Sequence, residues 1–344
     1  MKNQAAKAAR SKMNDIKTGR KILTDSFGRK IDYLRLSITD RCNLRCLYCM
    51  PPEGVDSISH NEILRFEELL KLCRIFADIG IDTVRVTGGE PLIRKGAVDF
   101  IRELKAINGI KRVTMTSNGV LLGEHLKELS RSELDAVNIS LDTLDREKFS
   151  FLTRGGTLGN ILSAIDLALE LALEVKINCV PLRGFNEDDI PQIASLAKNR
   201  KITVRFIELM PLGAASSMKG IAETEVFTLI EKKFGCLEPL PFNYGSGPAS
   251  YYTLDGFSGN IGIISAVSRR FCEKCNRLRL SASGALKPCL SGSISADLRG
   301  LLRNNASDEN IADVIRKLAA DKPAGHNFNF NDYSKKIEMF RIGG

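Results

Sequence analysis

Residues 33–50 read YLRLSITDRCNLRCLYCM, a strand-like run that passes directly into three closely spaced cysteines. The first half, 33–39, is apolar and β-branched enough to predict a strand. Similar short runs recur at 83–87 (TVRVT), 113–117 (VTMTS), 136–141 (AVNISL), 175–180 (VKINCV) and 203–208 (TVRFIE). Amphipathic stretches lie between them, such as 66–79, 97–107 and 158–173, with apolar residues at helical spacing. Six alternations of strand and helix imply βαβ units, a parallel sheet and right-handed crossovers, hence an α/β fold. Their spacing fits an incomplete (β/α)6 TIM-type barrel better than a flat doubly wound sheet. In either case chemistry collects at the carboxyl ends of the strands, where the first cysteines lie.

The rhythm breaks after about residue 212. A smaller C-terminal α+β part follows, with a helix near 223–234, strands around 251–254, 261–264 and 278–281, and helices near 294–303 and 309–320. The Gly, Ser and Pro-rich stretch 242–250 (FNYGSGPAS) predicts a turn or loop. The expected organisation is a flexible basic extension at 1–24, a partial barrel at 25–212 and a C-terminal part at 213–344.

Composition removes several function classes. The 344 residues are 43% hydrophobic and 26% charged, as in soluble globular proteins, and no run approaches the roughly 20 apolar residues a bilayer requires. A net charge of +9 invites a nucleic-acid reading. Seven basic residues and one acid fall within positions 1–21, however, leaving only +3 for the rest of the chain. The body is nearly neutral, so neither nucleic acid nor membrane is expected as a partner. The basic head lacks the apolar region of a secretory signal. A cytoplasmic location with reduced thiols is therefore the expectation.

Nine cysteines then need an explanation. Cys42, Cys46 and Cys49 form C-x-x-x-C-x-x-C, and Cys272, Cys275 and Cys289 form a second trio. Cys73, Cys179 and Cys236 stand alone in apolar surroundings and read as packing residues. Structural zinc wants four ligands, and the three histidines, His60, His125 and His326, lie in neither trio. All-thiolate trios suit iron–sulfur clusters, leaving one iron uncapped to bind another molecule. A zinc site with three thiolates and a water is the competing reading of the second trio.

Two motifs after consecutive strands sharpen this. Gly88-Gly89-Glu90-Pro91 follows the second predicted strand as the first trio follows the first, and Tyr48 immediately precedes Cys49. Here the sequence resembles the radical S-adenosylmethionine superfamily. The stretches 25–50, 84–91, 115–119, 137–142, 205–210 and 271–279, with the final Gly343-Gly344, resemble within it the GTP 3′,8-cyclases of molybdenum cofactor biosynthesis. The likeness covers about nine-tenths of the chain. The head before Ile22 has no counterpart in the family, and Phe340-Arg341 stands where aromatic-aliphatic pairs are commoner.

The resemblance implies two [4Fe–4S] clusters, the first on Cys42, Cys46 and Cys49 and the second, which binds substrate, on Cys272, Cys275 and Cys289. It implies S-adenosylmethionine contacts from Tyr48, Gly89, Ser140 and Met210, with Glu90 as partner of the methionine ammonium. GTP contacts fall on Arg35, Arg85, Thr116, Lys176, Arg277, Leu278 and Arg279, and Gly343 and Gly344 reach into the active site. Arg35 and Arg85 have an independent argument. They lie in strands expected to be buried on both faces, where an unpaired guanidinium is costly and a phosphate would supply a partner. Neither a P-loop nor a G-x-G-x-x-G fingerprint occurs. The implied partners are a flavodoxin- or ferredoxin-type electron donor, the next enzyme of the pathway, and a second copy if the chain is a homodimer and not a monomer. The alternatives are a peptide-modifying radical enzyme with an auxiliary cluster and a zinc-stabilised nucleic-acid-binding protein.

Overall fold

A computed structural model describes residues 22–54, 58–241, 247–326 and 338–341. Six parallel strands form its centre: β1 (Tyr33–Ser37), β2 (Thr83–Thr87), β3 (Arg112–Ser117), β4 (Ala136–Ser140), β5 (Glu174–Cys179) and β6 (Thr203–Ile207). Each lies within two residues of its sequence expectation at either end. The intervening helices are α1 (Phe66–Asp78), α2 (Ala97–Lys105), α3 (Leu122–Arg131), α4 (Arg146–Thr153), α5 (Leu158–Glu170) and α6 (Ile190–Ser195).

Local chemistry explains their limits. At the start of α1, the Arg65 backbone N–H donates to the Glu68 carboxylate at 2.7 Å, which satisfies one orphan donor of the first turn. Leu69, Leu72, Cys73 and Phe76 then bury the helix's inner face. The helix ends at Asp78, and the chain turns away two residues on at Gly80, whose φ of 111° is one a side chain rarely adopts. Each fully buried Leu or Phe contributes roughly 1.5–3 kcal/mol relative to exposure.

The C-terminal part contributes α7 (Glu223–Phe234), β7 (Glu238–Pro239), β8 (Ser250–Thr253), β9 (Asn260–Ile264), β10 (Arg277–Leu280), β11 (Ala285–Lys287), β12 (Ala296–Asp297), α8 (Leu298–Arg303) and α9 (Asp308–Ala320). The helix expected from 294 begins at Leu298, because Asp297 caps it by accepting from the Gly300 N–H at 3.0 Å. These strands extend the central sheet at both sides. β10 runs parallel to β1, and β9 runs parallel to β6. One sheet results, in the order β12-β11-β10-β1-β2-β3-β4-β5-β6-β9-β8-β7.

The barrel is therefore incomplete, as the six repeats predict, but its two open edges are covered by strands from beyond residue 212. One hydrophobic core includes Leu34 and Val86 of the central strands together with Leu278, Leu280 and Ile261 of the added ones. The change of rhythm at 212 marks no break in that core. The basic head, residues 1–21, lies outside the described residues.

Candidate functional site

At the carboxyl ends of the strands a cavity of about 310 Å³ opens, within the range of small-molecule sites. All six cysteines of the two trios line it, as do Tyr48, Gly89, Ser140, Met210, Arg35, Arg85, Thr116, Arg277 and Arg279. Residues spread over more than 240 positions of sequence thus meet in one place. None of the nine cysteines is in a disulfide.

The first trio sits in the loop after β1, fastened by the end of α4. Backbone N–H groups of Arg45 and Leu47 donate to the carbonyls of Thr153 and Leu152 at 3.0 and 2.9 Å. Arg154 donates to the carbonyls of Arg45 and Met50 at 3.0 and 2.9 Å. The turn after β2 packs equally closely. A β-carbon on Gly89 would lie 2.2 Å from the Arg41 carbonyl oxygen. Glycine is needed there to let two backbones meet, and the Glu90 N–H donates to that same carbonyl at 2.8 Å.

Glu90 itself is fully buried and does not line the cavity. Its carboxylate accepts from the Leu92 and Asn118 backbones at 3.2 and 2.7 Å and from the Ser117 hydroxyl at 3.0 Å. Burial outweighs these donors and pushes it up to about 7. The expected ammonium contact is thus not one the structure brings to the cavity; the side chain ties the turns after β2 and β3 together. Asp142, which the sequence reading missed, does line the cavity. It accepts from Tyr48 Oη at 2.7 Å and from the Val180 N–H at 2.8 Å, and burial pushes it up to about 6.

The two trios differ electrostatically. Burial, reinforced by neighbouring Cys42, pushes the Cys49 thiol up to about 12, and burial together with Cys49 and Asp142 raises Cys46. In the second trio burial also acts to raise Cys275, but Arg277 and Lys322 overcome it and bring the thiol down to about 6. Arg277 Nη2 lies 3.7 Å from Cys275 Sγ. Among the described residues no three His, Cys, Asp or Glu side chains meet the demands of a single metal ion. A four-iron cluster, whose body separates its three ligating sulfurs, makes no such demand. Six free thiols in two trios on one cavity therefore fit two such clusters.

The cavity's far wall is cationic. In the sheet register Arg279 of β10 lies opposite Arg35 of β1, and Arg35 lies opposite Arg85 of β2. Three guanidiniums thus stand abreast, an arrangement that repels. Burial, then Arg279, Arg85 and Arg277, push Arg35 well below its usual range. Burial and Arg277 bring Arg279 down to about 10. Arg35 Nε and Thr116 Oγ1 are buried without a hydrogen-bond partner, which a polar ligand would satisfy.

Arg205, also missed from sequence, donates to Asn138 and Asn178 at 2.5 and 2.6 Å and extends this wall. Lys176 is not on the main cavity. It lines a smaller one at the amino ends of the strands, which Arg85 and Arg205 also line, and it pairs with Glu174 at 2.8 Å. Leu278 does not face either space. Strand alternation turns its side chain into the core, so only its backbone is available to a ligand.

The tail approaches the same place. Phe340 is buried and lines the cavity, its backbone N–H reaches Cys49, and Met339 packs with Met210, Leu212 and Leu290. Gly343 and Gly344 lie outside the described residues.

The family described as the radical SAM superfamily matches residues 36–197, and that described as Molybdenum Cofactor Synthesis C matches 202–328. The GTP 3′,8-cyclase of Clostridium perfringens strain 13 is 44% identical over 323 residues, covering 94% of this chain and all of that one. The GTP 3′,8-cyclase of Thermodesulfovibrio yellowstonii is 44% identical over 327 residues with the same coverage. Streptococcus suis SuiB bound to S-adenosylmethionine superposes with a TM-score of 0.59 over 91% of this chain and 73% of that one, at 14% identity, a likeness of fold.

Proposed function

Because this chain belongs to the GTP 3′,8-cyclase family of the radical S-adenosylmethionine superfamily, we propose that it converts GTP to (8S)-3′,8-cyclo-7,8-dihydroguanosine 5′-triphosphate, the first step of molybdenum cofactor biosynthesis. The observation that carries the substrate is the row Arg279-Arg35-Arg85 on the wall of the cavity that holds both cysteine trios. A polyanion brings opposing charge to that row and a partner to the buried Arg35 Nε, whereas a neutral peptide backbone brings no opposing charge.

In this reading Cys42, Cys46 and Cys49 hold one [4Fe–4S] cluster and Cys272, Cys275 and Cys289 the other. When bound, the first cluster and S-adenosylmethionine supply the one-electron cleavage that generates a hydrogen-abstracting 5′-deoxyadenosyl radical. Tyr48, held by Asp142, with Gly89, Ser140 and Met210, orients S-adenosylmethionine. Arg35, Arg85, Arg279, Thr116 and the added Arg205 hold the triphosphate, Lys176 meets its far end, and Arg277 with the Leu278 backbone lies beside the guanine.

Such placement brings C3′–H toward the first trio and the base toward the second. Loss of the C3′ hydrogen, closure of the C3′–C8 bond and gain of one electron and one proton leave a product isomeric with GTP. Phe340 shields the cavity from water. The electron comes from a flavodoxin- or ferredoxin-type protein in the cytoplasm, and the product passes to the next enzyme.

Anaerobic incubation with GTP, S-adenosylmethionine and dithionite tests this. A new nucleotide of GTP's mass is expected. Cleavage of S-adenosylmethionine with GTP left unchanged would overturn the assignment.

A further inference from the structure

The second trio is carried by two separate stretches of backbone: the turn 272–275 that leads into β10, and the loop after β11. Two buried cations fasten them. Arg29, ion-paired with Asp25 at 2.5 Å, donates to the Cys272 carbonyl at 2.7 Å and to the carbonyls of Pro323 and Ala324 at 2.7 and 3.2 Å. It thereby locks the segment after α9 against the trio. That segment carries Lys322, which is 3% exposed and lines the cavity.

Lys322 Nζ donates to the Arg277 carbonyl at 2.7 Å and to the Pro288 carbonyl at 2.5 Å. One carbonyl is two residues beyond Cys275, the other immediately precedes Cys289. The charged or titratable groups that bear on it most are the Cys275 and Cys289 thiols and the Arg277 guanidinium, and Cys275 is within hydrogen-bonding reach. A buried ammonium needs a negative partner. Here the partners that face it are two sulfurs that become thiolates on binding iron.

We propose that Lys322 is a positioning residue of the second iron–sulfur site, joining the segments that bear Cys275 and Cys289 and supplying a fixed positive charge to the cluster they hold. Arg29 does the corresponding mechanical work at Cys272. The proposal rests on reading the second trio as a cluster site. It adds a residue that the sequence offers no reason to select, a lysine before a proline at the end of a helix.

Anaerobic reconstitution of the full chain tests it through iron content and midpoint potential, readouts independent of turnover. Wild type should hold about eight irons. Lys322→Met should lose about half, with the signal of the first cluster retained. Lys322→Gln keeps a donor for the carbonyls but not the charge, and covers the case in which the Met variant fails to fold. Its second cluster should assemble with a midpoint potential more negative than wild type, whereas Lys322→Arg should stay near the wild-type value. Full iron in Lys322→Met, or an unshifted potential in Lys322→Gln, would overturn the proposal. A Cys289→Ser variant with eight irons would overturn instead the cluster reading beneath it.

Discussion

Glu90 shows how a motif residue takes its role from its surroundings. The sequence places a carboxylate after two glycines, and the expectation is that it greets a ligand's ammonium. The fold spends its oxygens on the Leu92, Ser117 and Asn118 donors and buries it completely. A carboxyl raised from 4.5 to about 7 on folding binds its proton more tightly in the folded state. Its contribution is therefore present below about pH 4.5 and lost as pH rises through about 7, with an integrated size on the order of 3 kcal/mol. In denaturant unfolding of the cluster-free protein, the stability of wild type minus that of Glu90→Gln should fall across that window and level off above it. A difference that rises with pH would show the carboxylate to be held ionised. Legibility at this scale follows side-chain chemistry. The cysteines could be chosen because three thiols at those spacings have few other uses, and Arg35 and Arg85 because guanidiniums in buried strands need partners. Arg205 obeys the same rule and could have been found by it. Asp142 and Lys322 could not, since their partners are distant carbonyls, amides and a hydroxyl.

Strand register makes the cation row a property of the sheet. The six central strands were legible because β-branched runs alternated with helical stretches, and their ends fall close to those expected. The pairing of β10 with β1 was not legible, because two strands about 240 residues apart share no local signal. That pairing alone sets Arg279 beside Arg35. Arg35→Met should then have opposite effects on two measurements. Removing the central guanidinium should stabilise the ligand-free protein by on the order of 1 kcal/mol, as like charges side by side are relieved. It should weaken GTP binding at least tenfold, about 1.4 kcal/mol. Calorimetric binding and thermal unfolding read the pair, and a variant that loses stability while keeping wild-type GTP affinity would contradict the charge argument.

Across the whole molecule, the two segments of the chain complete one another. β1 and β6 would be bare edges without β10 and β9, and bare edges of a parallel sheet are sites of misassociation. Residues 22–212 expressed alone should fail to give a cooperative unfolding transition and should aggregate on size-exclusion chromatography. A stable monomer would show that the added strands are dispensable to the core. The same completion brings Cys272, Cys275 and Cys289 to the cavity that Cys42, Cys46 and Cys49 line, with Arg35 on the strand that leads into the first trio and Arg279 on the strand that follows Cys275. Among the described residues no helix is long and apolar enough to cross a membrane. The central claim is that this one cavity holds GTP with its C3′ hydrogen toward the first trio. Anaerobic turnover of GTP deuterated at C3′ tests it most directly: one deuterium should appear in the 5′-deoxyadenosine formed alongside the cyclised product. Unlabelled 5′-deoxyadenosine released together with that product would contradict the placement.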